Sequence, residues 1–160
     1  MTEVRVRVAD YAVAATPKTI VTIGLGSCVA ITLHDPVAGI GGLAHVLLPS
    51  EAMSRERENR AKFACTAVPL LIEQMQALGA RLARMQAKLA GGAAMFTSLI
   101  ATPALQMGER NVMAARDALQ LAGIPLVGQD VGGDFGRSVY FSVADGTMRI
   151  RSVRRREIVV

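Results

Sequence analysis

The chain has 160 residues, 51% of them hydrophobic and 19% charged, too long for a mini-protein and too apolar for a disordered tail, so one core is expected. Lys and Arg number 18 against 13 Asp and Glu, a formal charge of +5 that is modest for this size. With 4% aromatic residues and no Trp, the base-stacking platforms of single-strand binders are hard to assemble, and no nucleic-acid partner is expected.

Two cysteines exclude a disulfide scaffold, and neither lies in a C-x-x-C pair or at zinc-finger spacing. A reduced, cytoplasmic setting is the expectation. Glu3, Arg5, Arg7 and Asp10 occupy the stretch where a signal peptide needs an apolar core. The uncharged run 89–108 is interrupted by Gly91, Gly92, Thr97, Ser98, Thr102, Pro103 and Gln106, so no membrane insertion is expected.

In chain order, residues 4–8 alternate apolar and polar, the period of a half-buried strand with Arg5 and Arg7 on the wet face. Residues 19–23 and 29–33 are rich in β-branched side chains and read as strands separated by a tight bend, Gly24-Leu25-Gly26-Ser27-Cys28. Asp35-Pro36 marks a turn, with His34 read as a turn residue. Residues 41–48 make an apolar strand carrying His45 and stopped by Pro49.

Residues 50–62 are almost wholly polar and read as a mobile loop. Phe63, Ala67, Leu71, Met75 and Leu78 then recur at helical spacing, although Pro69 demands a kink or a later start. Alternation over 85–89 predicts a strand, and Val112, Ala115, Leu119 and Ala122 predict a second helix ended by Gly123 and Pro125. Strands follow at 124–127, 139–143 and 148–153, with Asp145-Gly146 as a hairpin signal. Arginines crowd the end, and 154–160 read as a frayed basic tail. Residues 1–160 thus form a single domain of α/β or α+β type, with two main helices and many short strands.

Chemistry centres on Cys28. It follows glycines in a bend, so its thiol can sit exposed at a strand end with the backbone N–H groups of Ser27 and Cys28 facing the same pocket. The strands around His45 and after Cys28 are consecutive and joined by a short turn, so antiparallel pairing can bring the two together. The hydroxyl of Thr22 offers a local acceptor for the second ring nitrogen. From chemistry alone, such a cysteine is more often a small buried hydrophobe, and such a histidine more often a satisfied core residue. Spacing by itself leaves the pair undecided. Cys65 has no histidine near it in sequence and reads as structural. Scarce His and Cys give no metal site, and Gly24-x-Gly26 is too short for a nucleotide loop, so no cofactor is expected.

The run Thr22-Ile23-Gly24-Leu25-Gly26-Ser27-Cys28-Val29, then Asp35-Pro36 and Gly42-Leu43-Ala44-His45-Val46-Leu47-Leu48-Pro49, closely resembles the CheD family of chemoreceptor glutamine deamidases. Lys88-Leu89-Ala90-Gly91-Gly92-Ala93-Ala94-Met95, a helix start at Gly108-Glu109-Arg110-Asn111, Gly132-Gly133 and Gly136-Arg137 follow in the family's order, so the resemblance covers nearly the whole chain. It implies a layered α/β sandwich with mixed, largely antiparallel strands. It also implies a cysteine hydrolase, a protein-glutamine glutaminase converting receptor glutamines to glutamates with loss of ammonia.

By position, the resemblance makes Cys28 the nucleophile, His45 the base and then the acid, and Thr22 the residue that orients His45. The bend around Ser27 and Gly26 would hold the oxyanion. It implies chemoreceptor cytoplasmic domains as substrate and allows a CheC-type phosphatase as partner. A binding module for such a phosphatase, or a receptor methylesterase, are the other readings. Phe63 and Cys65 depart from the family's usual tyrosine and acidic residue. Residues 96–107 match no family pattern and are a place where partner choice can vary.

Overall fold

All seven residues of Val29–Asp35 are buried, as are all seven of Ile40–Val46. A strand achieves this only when both of its faces are covered, which is why these segments read as continuous apolar runs rather than alternating ones. A computed structural model describes residues 2–95 and 103–160. Of the segment for which a part in partner choice was expected, 96–102 lie outside the described residues.

The elements are β1 (Glu3–Val6), β2 (Tyr11–Ala15), β3 (Thr19–Leu25), β4 (Val29–Asp35), β5 (Ile40–Val46), α1 (Ala64–Ala77), β6 (Gln86–Gly91), α2 (Pro103–Ala122), β7 (Leu126–Val131), β8 (Arg137–Ser142), β9 (Met148–Arg151) and β10 (Ile158–Val159). They form two five-stranded sheets, ordered β1-β3-β8-β9-β10 and β2-β5-β4-β6-β7. Both are mixed: β1–β3 and β6–β7 pair parallel and the remaining pairs are antiparallel.

Strand parity sorts the core into two layers. Val29, Ile31 and Leu33 of β4 face the helices, where Leu71 and Met75 of α1 and Val112, Ala115 and Leu119 of α2 complete one cluster. Ala30 of β4 and Leu43 of β5 face the other way, toward Ile20, Val139, Phe141, Met148 and Ile150 of the first sheet. The layers therefore run helices, second sheet, first sheet, and this single-domain α/β sandwich agrees with the expected class. The outer face of the first sheet is open, as the alternating burial of β8 and β9 records.

Several local expectations change. Strand β2 gave no strong signal, since Tyr11-Ala12-Val13-Ala14-Ala15 carries three small alanines. Helix α1 runs through Pro69, at the loss of one hydrogen bond to the Cys65 carbonyl. Helix α2 begins at Pro103, ahead of the expected start at Gly108, and ends before Gly123 at φ 74°. His34 lies in β4, not in a turn. Residues 50–62 hold two short 3-10 turns, and the Asn59 side chain caps the second. The end of the chain is not a frayed tail: β10 pairs with β9, Val160 exchanges two backbone hydrogen bonds with Met148, and Arg155 pairs with Asp130. Among the described residues, no helix is long and apolar enough to cross a membrane.

Candidate functional site

The β4–β5 ladder sets Ala30 opposite His45 and Val29 opposite Val46. Because side chains alternate, His45 points to the same side as Ala30, into the layer between the sheets, and Cys28, two residues before Ala30, belongs to that layer too. Cys28 is thus a diagonal neighbour of His45, a placement that side chains can bridge. Thr22 comes from the opposite sheet. It pairs with Val139 of β8, after which the β3–β8 register slips between Thr22 and Leu25 and Gly24 takes φ 82°. This bulge leaves Ile23 and Gly24 outside and turns Leu25 back in. The bend read as joining neighbouring strands therefore carries the chain from one sheet to the other, with Cys28 at the landing.

Thr22 Oγ1 lies 2.7 Å from His45 Nδ1 and donates to the Val6 carbonyl at 2.8 Å. A hydroxyl has one proton. With that proton on Val6, the hydroxyl accepts from His45 Nδ1–H, which fixes the tautomer and leaves the lone pair on Nε2. Nε2 is buried and has no hydrogen-bond partner among the described residues, so Cys28 and His45 share a layer without being bonded. Burial lowers the His45 pKa to about 4, and His45 is neutral near pH 7. Burial also pushes the Cys28 thiol up, opposed by its own backbone N–H, which favours the thiolate. At rest the pair is thiol and neutral imidazole, an arrangement suited to proton transfer during attack.

The loop that carries Cys28 is held by backbone. The Gly26 carbonyl accepts from Ala93 N at 2.9 Å and the Cys28 carbonyl from Gly92 N at 2.8 Å. Gly91 has φ 107°, and a Cβ there would stand 2.3 Å from the Cys28 carbonyl oxygen, so only glycine fits. Arg137, almost fully buried, donates to the Gly132 carbonyl at 2.8 Å and the Gly91 carbonyl at 3.5 Å while pairing with Asp130 at 2.9 Å. Burial alone would raise the Asp130 pKa; Arg155 and Arg137 outweigh it and hold the carboxylate charged. Both guanidiniums stack on the Phe135 ring, at 4.3 and 4.8 Å from its centre.

Sequence reasoning missed two supports. The β1–β2 turn brackets the His45 backbone: Ala9, at φ 61°, donates to the His45 carbonyl at 2.8 Å, and His45 N donates to the Asp10 carbonyl at 3.0 Å. A positive φ at an alanine shows up only in the structure. Asn111 of α2 reaches both the cysteine loop and the residue just past the strand that carries His45; the sequence flagged it only as part of a helix start.

Cys65 is exposed at the start of α1 and donates to Glu51 Oε1 at 3.5 Å. Burial and this carboxylate push its thiol up. It lies apart from His45, in an apolar groove of about 380 Å3 between the helices that includes Pro49, Pro69, Ala118 and Leu121. His34 Nε2 donates to the Val143 carbonyl at 2.8 Å, a satisfied core histidine. Among the described residues, no group of three or more His, Cys, Asp or Glu is placed to hold a metal ion.

Comparison with known proteins adds to this geometry. A solved Neisseria meningitidis protein, NMB0706 of family DUF152, superposes with a TM-score of 0.50 at 12% identity over 84% of this chain; this chain spans 63% of that one's length. The likeness concerns the fold. "Probable chemoreceptor glutamine deamidase CheD 2" of Geobacter metallireducens is 46% identical over 153 residues, 95% of this chain and 94% of its own. "Probable chemoreceptor glutamine deamidase CheD" of Caldanaerobacter subterraneus subsp. tengcongensis is 44% identical over 93% of this chain and 92% of its own, and that of Desulfitobacterium hafniense 41% identical over 98% of both. The family described as CheD chemotactic sensory transduction matches residues 47–152. On this evidence the chain belongs to the CheD family.

Proposed function

We propose that this protein deamidates selected glutamine side chains on the cytoplasmic domains of methyl-accepting chemoreceptors, with Cys28 as nucleophile. The observation that carries the reading is the Thr22–His45–Val6 chain of hydrogen bonds, which leaves a basic Nε2 in the layer that also holds Cys28. The names of the relatives supply the substrate class.

Cys28 Sγ attacks the carboxamide carbon while His45 Nε2 takes the thiol proton. Backbone N–H groups of the bend at Gly26, Ser27 and Cys28 stabilise the oxyanion. As the tetrahedral adduct collapses, the C–N bond breaks and His45 returns its proton to nitrogen, releasing ammonia and leaving a thioester. His45 then takes a proton from water, the hydroxide cleaves the thioester, and glutamate and the thiol of Cys28 are regenerated. The balance is one carboxamide and one water giving one carboxylic acid and one ammonia.

The test is peptide mass analysis of a purified chemoreceptor cytoplasmic fragment incubated with wild-type protein or with Cys28→Ala. Conversion of Gln to Glu with wild type alone is the expected result. Conversion by Cys28→Ala would overturn the mechanism. Release of methanol from methylated receptor, without ammonia from the glutamine form, would make the protein an esterase.

A further inference from the structure

Asn111 is fully buried on α2, and its Nδ2 donates to two backbone carbonyls far apart in sequence: Ser27 at 2.9 Å and Leu47 at 3.1 Å. Ser27 immediately precedes Cys28, and Leu47 follows His45 by two residues. The last rung of the β4–β5 ladder is Val29 opposite Val46, so Ser27 and Leu47 lie just past the point where the two strands stop pairing. The two protons of one carboxamide bridge that gap, giving both carbonyls a donor where no rung of the ladder follows.

The chemistry of the side chain argues against a packing role. The neighbouring residues Val112 and Ala115 are part of the apolar cluster beneath the second sheet, where an aliphatic side chain would fill space without penalty. Among the described residues, Asn111 Oδ1 instead remains buried with no partner, a cost that a residue present only for packing would not carry. The carboxamide is retained for its two donors.

We infer that Asn111 is a positioning residue for the reaction: it clasps the loop of Cys28 to the strand of His45 and so sets the approach of Sγ to Nε2, touching neither reacting atom. This rests on the proposed roles of Cys28 and His45. Proton transfer between two groups that are not bonded at rest depends steeply on their approach, so release of the clasp acts on the chemical step and not on substrate affinity.

The experiment uses the full-length Asn111→Asp and Asn111→Leu variants. The first keeps the shape and loses both donors; the second also removes the orphan acceptor. Ammonia release from a chemoreceptor cytoplasmic fragment gives kcat and KM. Iodoacetamide labelling, read peptide by peptide between about pH 6 and about pH 9, gives the reactivity of Cys28 with Cys65 as internal control. Expected are a fall in kcat of about 100-fold with KM within about threefold, and a Cys28 labelling profile displaced to higher pH while that of Cys65 stays put. Should both variants lose cooperative unfolding, Asn111→Ser, smaller and with one donor, takes their place under the same criteria. Unchanged kcat in a folded variant, or lost kcat with an unmoved Cys28 profile, would overturn the inference. Cys28→Ala in the same assay separates the two levels. An active Cys28→Ala protein removes the underlying reading, whereas an inactive one beside fully active Asn111 variants removes only the clasp.

Discussion

The hydrogen bond between Thr22 and His45 spans the gap between the two sheets, with the hydroxyl on β3 and the ring on β5, 2.7 Å apart. The tautomer of the proposed base is therefore set by how the sheets are stacked, not by any neighbour on its own strand.

Thr22→Val keeps the shape and removes the hydroxyl. It leaves the His45 Nδ1–H unpaired in the core, at a cost of about 1–3 kcal/mol in stability. With the tautomer no longer held, kcat is expected to fall by at least about 100-fold. Thr22→Ser, which restores the hydroxyl, is expected to recover most of that rate. Ammonia release and urea unfolding on the two variants check this pair of outcomes.

His45 gives a pH dependence of definite sign. Its folded pKa is about 4, below the ordinary value near 6.5. The unfolded chain takes up a proton as pH falls through about 6.5, and the folded chain only near 4, so stability drops across that window, by about 3 kcal/mol at about 1.4 kcal/mol per unit. Above that window the residue adds no slope. Urea unfolding at about pH 7 and about pH 4.5 should show a larger loss for wild type than for His45→Gln. The acid limb of the activity profile should lie near 4 rather than near 6.5.

Asp35 is buried at the end of β4, taking hydrogen bonds from the Arg84 guanidinium and from the backbone N–H groups of Arg81, Val37 and Ala38. Burial opposes the charge, but these donors prevail and hold its carboxyl well below the usual range. Its stabilisation is present above the ordinary carboxylate pKa and fades as pH falls below it. Asp35→Ala leaves the donors without their acceptor and is expected to lower stability by about 3–5 kcal/mol, read as a loss of melting temperature, with the chemistry at Cys28 unaffected in whatever fraction stays folded.

Gly91→Ala places a methyl group 2.3 Å from the Cys28 carbonyl oxygen at a residue with φ 107°. The backbone at Cys28 must yield, so this variant is expected to lose activity out of proportion to any fall in melting temperature. Ammonia release normalised to folded protein measures it.

Much of this architecture could be read from the sequence, for identifiable reasons. β4 and β5 were visible because strands covered on both faces become unbroken apolar runs. Their short connection implied antiparallel pairing, and that brought Cys28 and His45 within consideration. The resemblance to CheD then gave Thr22 its role, while its contact with His45 comes from the stacking of the two sheets, which no periodicity records. β2 was missed because alanines carry little strand signal, and β10 because the arginines before it suggested solvent. Asn111 was beyond reach for a different cause: its partners are main-chain carbonyls, which look alike in every sequence.

The division of the proposed triad between sheets has a consequence for how the protein is made. Thr22, Cys28 and His45 all lie in the first third of the chain, yet Thr22's strand is flanked on one side by β8, which pairs in turn with β9 and β10. During synthesis the Cys28 thiol emerges early, whereas β8, which flanks the strand of Thr22, comes from the last quarter of the polypeptide. If the proposed roles hold, a chain stalled before β8 carries Thr22, Cys28 and His45 without the strand that flanks Thr22's own.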